Sequence, residues 1–410
     1  MIKPLRGMRD LAFEDAKKFE YFIKVASNSA KNYGYEYIET PLLEETNLFK
    51  RSVGNSSDIV NKEMYQFTDK GGNDVCLRPE GTAGVVRFFI SSKLDRQQQK
   101  YKFFYYGSMF RYERPQKGRF REFHQFGCES FGEDSVYEDY TIIELISSIF
   151  DKLNIGYNLE INSLGCEKCM PKYRDKLVNF LESKKENLCE DCNKRITTNP
   201  IRVLDCKNES CKEQLVEAPK ITDNLCESCS NDFTKLKEVL EQNKINYKVN
   251  KNLVRGLDYY NKTAFEFISN EIGAQNAIAG GGRYDKLVSF LDGKPTPAIG
   301  FAIGIERVLE LINLPESKRE GYYFGTMDSK GVSKMLEAAK KARDKAKVFV
   351  EYEPKKLKAH LKNADKYNAK YCAVLGEDEL QNGTIWVKDL DEKSQEVVDF
   401  NDFIKSIRLD

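Results

Sequence analysis

Histidine is almost absent from this chain of 410 residues: only His124 and His360 occur. That leaves no material for a serine–histidine triad with spare ligands, or for a histidine-rich metal centre. No phosphate-binding loop of the form GxxxxGK[ST] is present, and no GxGxxG follows a strand pattern. A bound nucleotide would therefore have to be held by arginines and strand surfaces. No apolar run approaches membrane-spanning length, and the first residues, MIKPLRGMRD, have no signal-peptide core. The expectation is a cytoplasmic protein without membrane contact. Charge of one sign is also lacking, since 65 Lys and Arg face 64 Asp and Glu. A polyanionic partner would have to be met by local patches.

What is present begins with the stretch from Tyr105 to Gly132. It reads as a strand, a basic loop and a second strand. Pro115 and Gly118 suit the connection. Beyond the loop, Arg121, Phe123, Gln125, Gly127 and Glu129 alternate onto one face. A cation, a ring, an amide, a gap and a carboxylate in a row suit the floor of a polar ligand site, with room at Gly127. The plainer alternative is a basic surface hairpin.

Helices are expected over 11–33, 82–92, 135–153 and 305–312. Ser135 and Glu138 have capping-box spacing. Strands are expected over 35–40, 156–162, 247–249, 263–268, 274–279 and 298–304, with a hairpin over 64–77. Beyond Pro315, strands at 322–326, 347–352, 371–375 and 384–387 alternate with helices at 333–346 and 354–367. That alternation suits a small α/β domain. Between Lys330 and Lys370 basic residues outnumber acidic ones, which suits an RNA backbone or a solvated helix face.

Three further blocks look chemical. Leu253–Tyr260 (LVRGLDYY) combines an arginine, a glycine and two phenols. Ala279–Asp285 (AGGGRYD) has three glycines that permit close backbone approach, or a tight turn. Gly300–Arg307 puts an arginine in the first turn of a helix. That placement is unfavourable for the helix dipole unless an anion sits nearby.

The cysteines are clustered. Cys166 with Cys169, Cys189 with Cys192, Cys206 with Cys211 and Cys226 with Cys229 form four close pairs in a polar stretch that interrupts the strands. Such spacing points to structural zinc, enough for two four-cysteine sites; reduced, unligated thiols are the alternative. Cys76, Cys128 and Cys372 lie in apolar strand settings.

Taken together, the motifs resemble the class II aminoacyl-tRNA synthetases, and specifically the histidyl-tRNA synthetase family. GYEYIETP, FRYERPQKGRFREFHQFGCESFG and AIGFAIGIERVL resemble the three class motifs. LVRGLDYY and AGGGRYD resemble the histidine-specific ones, and LRPEGT also matches. The resemblance implies an α+β catalytic domain on a mostly antiparallel sheet (1–318). Within it lies a helical cysteine-rich insertion (166–235), and a C-terminal α/β anticodon-binding domain follows (320–410). The implied activity is ATP-dependent activation of L-histidine to histidyl-adenylate, then transfer to the 3′ end of tRNA(His) by a homodimer. Arg111 and Arg255 would be catalytic, at the α-phosphate. Glu113, Arg119, Arg121, Phe123 and Arg307, with Arg111, would bind ATP, with Mg²⁺. Glu80, Gly81, Thr82, Gln125, Glu129, Tyr259, Tyr260 and Tyr284, with Arg255, would bind histidine. Arg114 and Gln116 would meet the tRNA acceptor end. A rival within the same fold is the synthetase-like regulatory subunit of ATP phosphoribosyltransferase, which usually lacks the anticodon domain.

Overall fold

The computed structural model describes residues 2–54, 57–206, 208–273, 276–316 and 318–407. The chain divides into two compact units, Met1–Leu314 and Pro315–Asp410.

In the first unit, α1 (Phe13–Asn32) buries Phe22, Ala26 and Ala30 on one face. It leads into β1 (Glu36–Tyr37). A small sheet follows, in which β2 (Leu43–Glu45) and β3 (Gln66–Thr68) flank β4 (Asp74–Leu77). The expected hairpin over 64–77 is the β3–β4 pair. Next come α2 (Thr82–Ser91), β5 (Tyr101–Phe110) and β6 (Glu122–Phe131). The helix α3 (Val136–Lys152) starts at Ser135, whose hydroxyl accepts from the Tyr137 amide at 3.2 Å. The other half of the expected capping box does not form, because Glu138 turns to Lys102 at 2.8 Å. The Ser135 amide donates instead to Glu133 at 3.2 Å.

β7 (Asn158–Ser163) precedes the cysteine-rich insertion. β8 (Lys248–Val249), β9 (Asn261–Ile268), β10 (Ala277–Arg283) and β11 (Ala298–Gly304) follow it. Among the described residues, eight strands form one sheet in the order β1-β5-β6-β11-β10-β9-β7-β8. All pairs are antiparallel except β1–β5 and β7–β8. The three glycines 280–282 are not a turn. They lie in the middle of β10, paired on both sides. The expected start of that strand, at Ala274, lies outside the described residues.

Alternation along β6 sorts the layers. Phe126 and Cys128 point into a helix-covered core with Phe22, Ile142, Ile146, Phe265 and Phe301. The opposite face packs Phe103, Tyr105, Phe131, Tyr259 and Tyr284, and there Phe123 and Gln125 meet the cavity described below. The insertion is largely helical and has its own core, with Tyr173, Leu177, Leu181, Ile196 and Val203 around the cysteines.

In the second unit, β12 (Tyr322–Thr326) pairs in parallel with β13 (Val348–Val350) and β14 (Tyr371–Leu375). β15 (Thr384–Asp389) and β16 (Gln395–Asp399) continue the sheet antiparallel. The last strand is absent from the sequence-based expectation. Its edge position leaves it mostly exposed, so QEVVD shows no apolar alternation. Among the described residues, no helix is long and apolar enough to cross a membrane.

Candidate active site

A cavity of about 220 Å³ opens on the polar face of the large sheet. Three separated segments bring four arginines to it: Arg111 and Arg119 in the β5–β6 connection, Arg255 ahead of β9 and Arg307 beyond β11. Glu80, Thr82, Glu113, Phe123, Gln125, Tyr259 and Tyr260 complete the set of expected residues in its walls.

The arginines are held by carbonyls and rings more than by carboxylates. Arg111 Nε donates to the Pro79 carbonyl at 2.9 Å, and its guanidinium lies 5.2 Å from the Phe123 ring centre. Arg307 donates to the carbonyls of Ala277 (2.6 Å) and Gly118 (3.2 Å). Arg119 pairs with Glu113. Burial lowers the pKa of Arg307, and the Arg119 and Arg111 charges lower it further. Converging cations that repel one another favour a polyanionic ligand.

Arg255 is placed differently. Nη1 pairs with Glu266 at 2.9 Å, and the guanidinium lies 5.4 Å from the Tyr260 ring centre. Its Nε is buried without a hydrogen-bond partner, as is Gln125 Oε1. An orphaned donor and an orphaned acceptor in one cavity wall suit a ligand that offers both.

Glu129 sits beneath the floor, 0% exposed. Its carboxylate accepts from Thr82 Oγ1 (2.7 Å), Tyr105 OH (3.2 Å) and Tyr284 OH (2.5 Å). Burial, and secondarily the Glu80 charge, push its pKa from the usual 4.5 to about 8, against the three hydroxyl donors. Glu80 itself accepts from the Thr82 and Ala83 amides at 2.7 and 2.9 Å, at the start of α2.

The room expected at Gly127 is taken. Tyr105, directly across the β5–β6 pair, lays its ring there. A β-carbon at Gly127 would fall 2.4 Å from that ring, and one at Gly81 would fall 2.1 Å from it. Tyr105 is thus a site residue that sequence reading passed over, because it looked like one more aromatic in an apolar strand. Arg283 was passed over too. It is 1% exposed and pairs with Asp139 at 2.6 Å and Asp285 at 3.3 Å.

Some expected residues lie off the cavity. Arg121 donates to the Glu113 carbonyl at 3.1 Å and stacks 3.7 Å from the Tyr112 ring centre, bracing the loop. Gly81, Glu129 and Tyr284 stand behind its wall. Arg114 and Gln116 are exposed on the loop.

The eight clustered cysteines fall into two groups: Cys166, Cys169, Cys226 and Cys229, and Cys189, Cys192, Cys206 and Cys211. Within each group all four sulfurs lie within 4.8 Å of one another. Cys166 Sγ is 3.8 Å from Cys169 Sγ and 3.7 Å from Cys226 Sγ, and Cys189 Sγ is 3.9 Å from Cys206 Sγ. Those spacings match the edge of a tetrahedron with metal–sulfur bonds of about 2.3 Å. Cys76, Cys128 and Cys372 are fully buried in the cores.

An eight-stranded, mainly antiparallel sheet with an arginine-lined cavity over its central strands is the architecture of a class II aminoacyl-tRNA synthetase. Residues 7–308 match the family model described as Histidyl-tRNA synthetase, and residues 325–409 match that of the Anticodon binding domain. The chain is 65% identical to a histidine–tRNA ligase of Sulfurovum sp., over 97% of this chain and 99% of that one. It is 61% identical to that of Sulfurimonas denitrificans, over 97% and 99%. Among solved structures, the apo histidyl-tRNA synthetase of S. aureus matches with a TM-score of 0.83 and 33% identity, covering 99% of this chain and 100% of that one. The chain belongs to the histidyl-tRNA synthetase family. It is an ATP-dependent ligase that activates histidine to histidyl-adenylate and passes the histidyl group to the 3′ end of its tRNA. The full-length ligase relatives disfavour the regulatory-subunit reading. Enzymes of this class use ATP with Mg²⁺.

Proposed function

We propose that the cavity holds ATP and histidine side by side, with Arg255 and Arg111 at the α-phosphate between them. The observation that carries this reading is the convergence of Arg111, Arg119, Arg255 and Arg307 on one cavity whose amino-acid end has an orphaned Gln125 oxygen. Arg119 and Arg307 hold the outer phosphates, and Arg121 holds their loop in place. The adenine stacks between Phe123 and Arg307, with Glu113 toward its amino group. Fixed guanidiniums stabilise charge as it builds at the α-phosphate, and they need no reorganisation when it does. Mg²⁺ accompanying ATP would supply positive charge at the outer phosphates, and the cavity carboxylates Glu266 and Glu306, which pair with Arg255 and His124, are the oxygen donors that would hold it.

Histidine places its α-amino group against Gln125, Glu80 and Thr82, which open onto the same cavity. Its ring turns toward Tyr259, Tyr260 and the Glu129–Tyr284 pair, and it meets Glu129 when one hydroxyl partner swings aside. Gly81 keeps Tyr105 in its slot. Arg114 and Gln116, exposed at the loop tip, contact the tRNA acceptor end.

Three further readings complete the proposal. The two four-cysteine clusters hold structural zinc. The chain acts as a homodimer, supported by exposed Tyr37, Leu42, Leu43 and Phe67 around the first class motif. It works in the cytoplasm, where free cysteines persist. The site assignment is tested by ATP–pyrophosphate exchange with histidine and with an analogue whose ring lacks an N–H. Histidine should be preferred by up to roughly 10⁴-fold, because the analogue cannot replace the hydroxyl donor that must swing away from Glu129. Equal exchange rates would remove Glu129 from recognition. Sedimentation analysis showing a monomer at micromolar concentration would remove the dimer.

A further inference from the structure

The segment that carries Arg255, Tyr259 and Tyr260 has neither helix nor strand from Lys251 to Tyr260. Such a segment lacks the backbone ladder that fixes a strand, and unsupported loops open most readily. Its placement must come from neighbours. On one side, the Asp258 amide donates to the Val53 carbonyl at 3.3 Å. Gly54 lies so close that a β-carbon there would fall 2.2 Å from Asp258 Oδ2.

On the other side the neighbour is the cysteine-rich insertion. Asn199 Nδ2 donates to Asp258 Oδ1 at 2.8 Å. Arg202 Nε donates to the same oxygen at 3.0 Å, and Arg202 Nη2 donates to the Gly256 carbonyl at 2.5 Å. Arg202 thus bonds the residue next to Arg255 and the residue three beyond it, through one rigid fork. Its side chain is 11% exposed, so these bonds are poorly screened.

Asn199 and Arg202 both lie between Cys192 and Cys206, which contribute two sulfurs to one of the four-cysteine clusters. The helix Glu190–Thr198 and the 3₁₀ turn Pro200–Asp205 fill that interval. Arg195, on the same helix, grips the catalytic body a second time through Asp58 at 2.7 Å.

We propose that Asn199 and Arg202 are positioning residues for Arg255, so that the cluster of Cys189, Cys192, Cys206 and Cys211 acts as the anchor of the active-site loop. The cluster fixes both ends of the interval, the interval fixes Asp258 and Gly256, and these fix the turn that aims Arg255 into the cavity. The proposal rests on the reading of Arg255 as the α-phosphate ligand and of the cysteines as metal ligands. The contact between the insertion and the loop stands independently of both.

The test uses full-length Arg202→Ala, Arg202→Lys and Cys206→Ser. Hydrogen exchange without substrates reads the loop directly. Arg202→Ala should speed amide exchange across 253–260 by about tenfold or more, and leave the large sheet unchanged. In single-turnover assays the rate of histidyl-adenylate formation should fall roughly 10- to 100-fold, the usual cost of a misplaced group, with KM for ATP nearly unchanged. Arg202→Lys, which can reach Asp258 but lacks the fork, should fall between. Metal content of Arg202→Ala should equal that of the unaltered protein, whereas Cys206→Ser should lose one ion and reproduce the loop signature. Unchanged exchange over 253–260 in Arg202→Ala would overturn the proposal. So would a reduced burst amplitude with an unaltered rate, which marks partial unfolding alone. If the unaltered protein holds no metal but Arg202→Ala loosens the loop, the zinc reading fails and the positioning role stands. If Arg202→Ala loosens the loop while Arg255→Ala is active, the reading of Arg255 fails instead.

Discussion

Arg255 lies against the bare backbone of Gly280: a β-carbon at that glycine would fall 2.4 Å from Nη1 and 2.8 Å from both Cζ and Nη2. The glycine belongs to β10, yet what it provides is a slot for a side chain from a different segment. Gly280→Ala should leave the sheet intact, since the guanidinium is the movable partner. It should move Arg255 by about an ångström and slow histidine-dependent pyrophosphate exchange by roughly 10- to 100-fold. Steady-state kinetics beside a thermal melt check this. A normal rate would mean that Arg255 does not need its slot.

Glu129 makes stability pH-dependent in a particular direction. Its pKa is raised on folding, from 4.5 to about 8. The folded state therefore binds a proton more readily than the unfolded state. Its contribution is complete below pH 4.5 and is lost as pH rises toward 8, on the order of 1 kcal/mol per pH unit. Glu129→Gln removes that slope. The variant should gain stability relative to the unaltered enzyme between pH 5 and 8 in urea titrations, while losing histidine affinity. Parallel pH–stability curves would contradict the burial argument.

Arg283 and Asp139 are both about 1% exposed and pair at 2.6 Å. Even so paired, burial raises Asp139 to about 6. Arg283→Met leaves the buried Asp139 carboxylate with the Thr263 hydroxyl but no counter-charge, and should cost about 3–5 kcal/mol in chemical denaturation at pH 8. The cost should shrink as pH falls through about 6, where Asp139 takes up a proton. Adding Asp139→Asn should restore most of the loss. If the double variant is no better than the single one, the buried charge is not the cause.

The cysteine clusters yield a stoichiometry. Protein purified without chelators should contain about two zinc ions per chain. Chelation should expose residues 166–235 to protease while the large sheet survives, because the metal contributes to folding a polar module. Absence of zinc, or resistance to proteolysis after its removal, would count against both sites.

Much of this architecture could be read from the chain. The β6 alternation correctly separated Phe126 and Cys128, which enter the core, from Phe123 and Gln125, which face the cavity. The cysteine spacing identified candidate ligands but not their grouping. Grouping depends on how the insertion folds back to bring Cys226 beside Cys166. Three things were hidden for physical reasons. Tyr105 fills the gap at Gly127, and that depends on the cross-strand register, which two strand patterns and a loop do not fix. The GGG run resembles a turn until both its neighbours are known to be strands. Arg283 sits inside the AGGGRYD motif, one residue before Tyr284, but is spent on a buried ion pair, and a guanidinium is the same letter in either role.

Arg255 is proposed to stabilise the α-phosphate as histidine attacks it. Single-turnover formation of histidyl-adenylate by Arg255→Ala, at saturating ATP and histidine, tests it most directly. The rate should fall roughly 10² to 10³-fold with the folded structure intact. A near-normal rate would remove Arg255 from the chemistry and leave the convergence of arginines to be explained by binding alone.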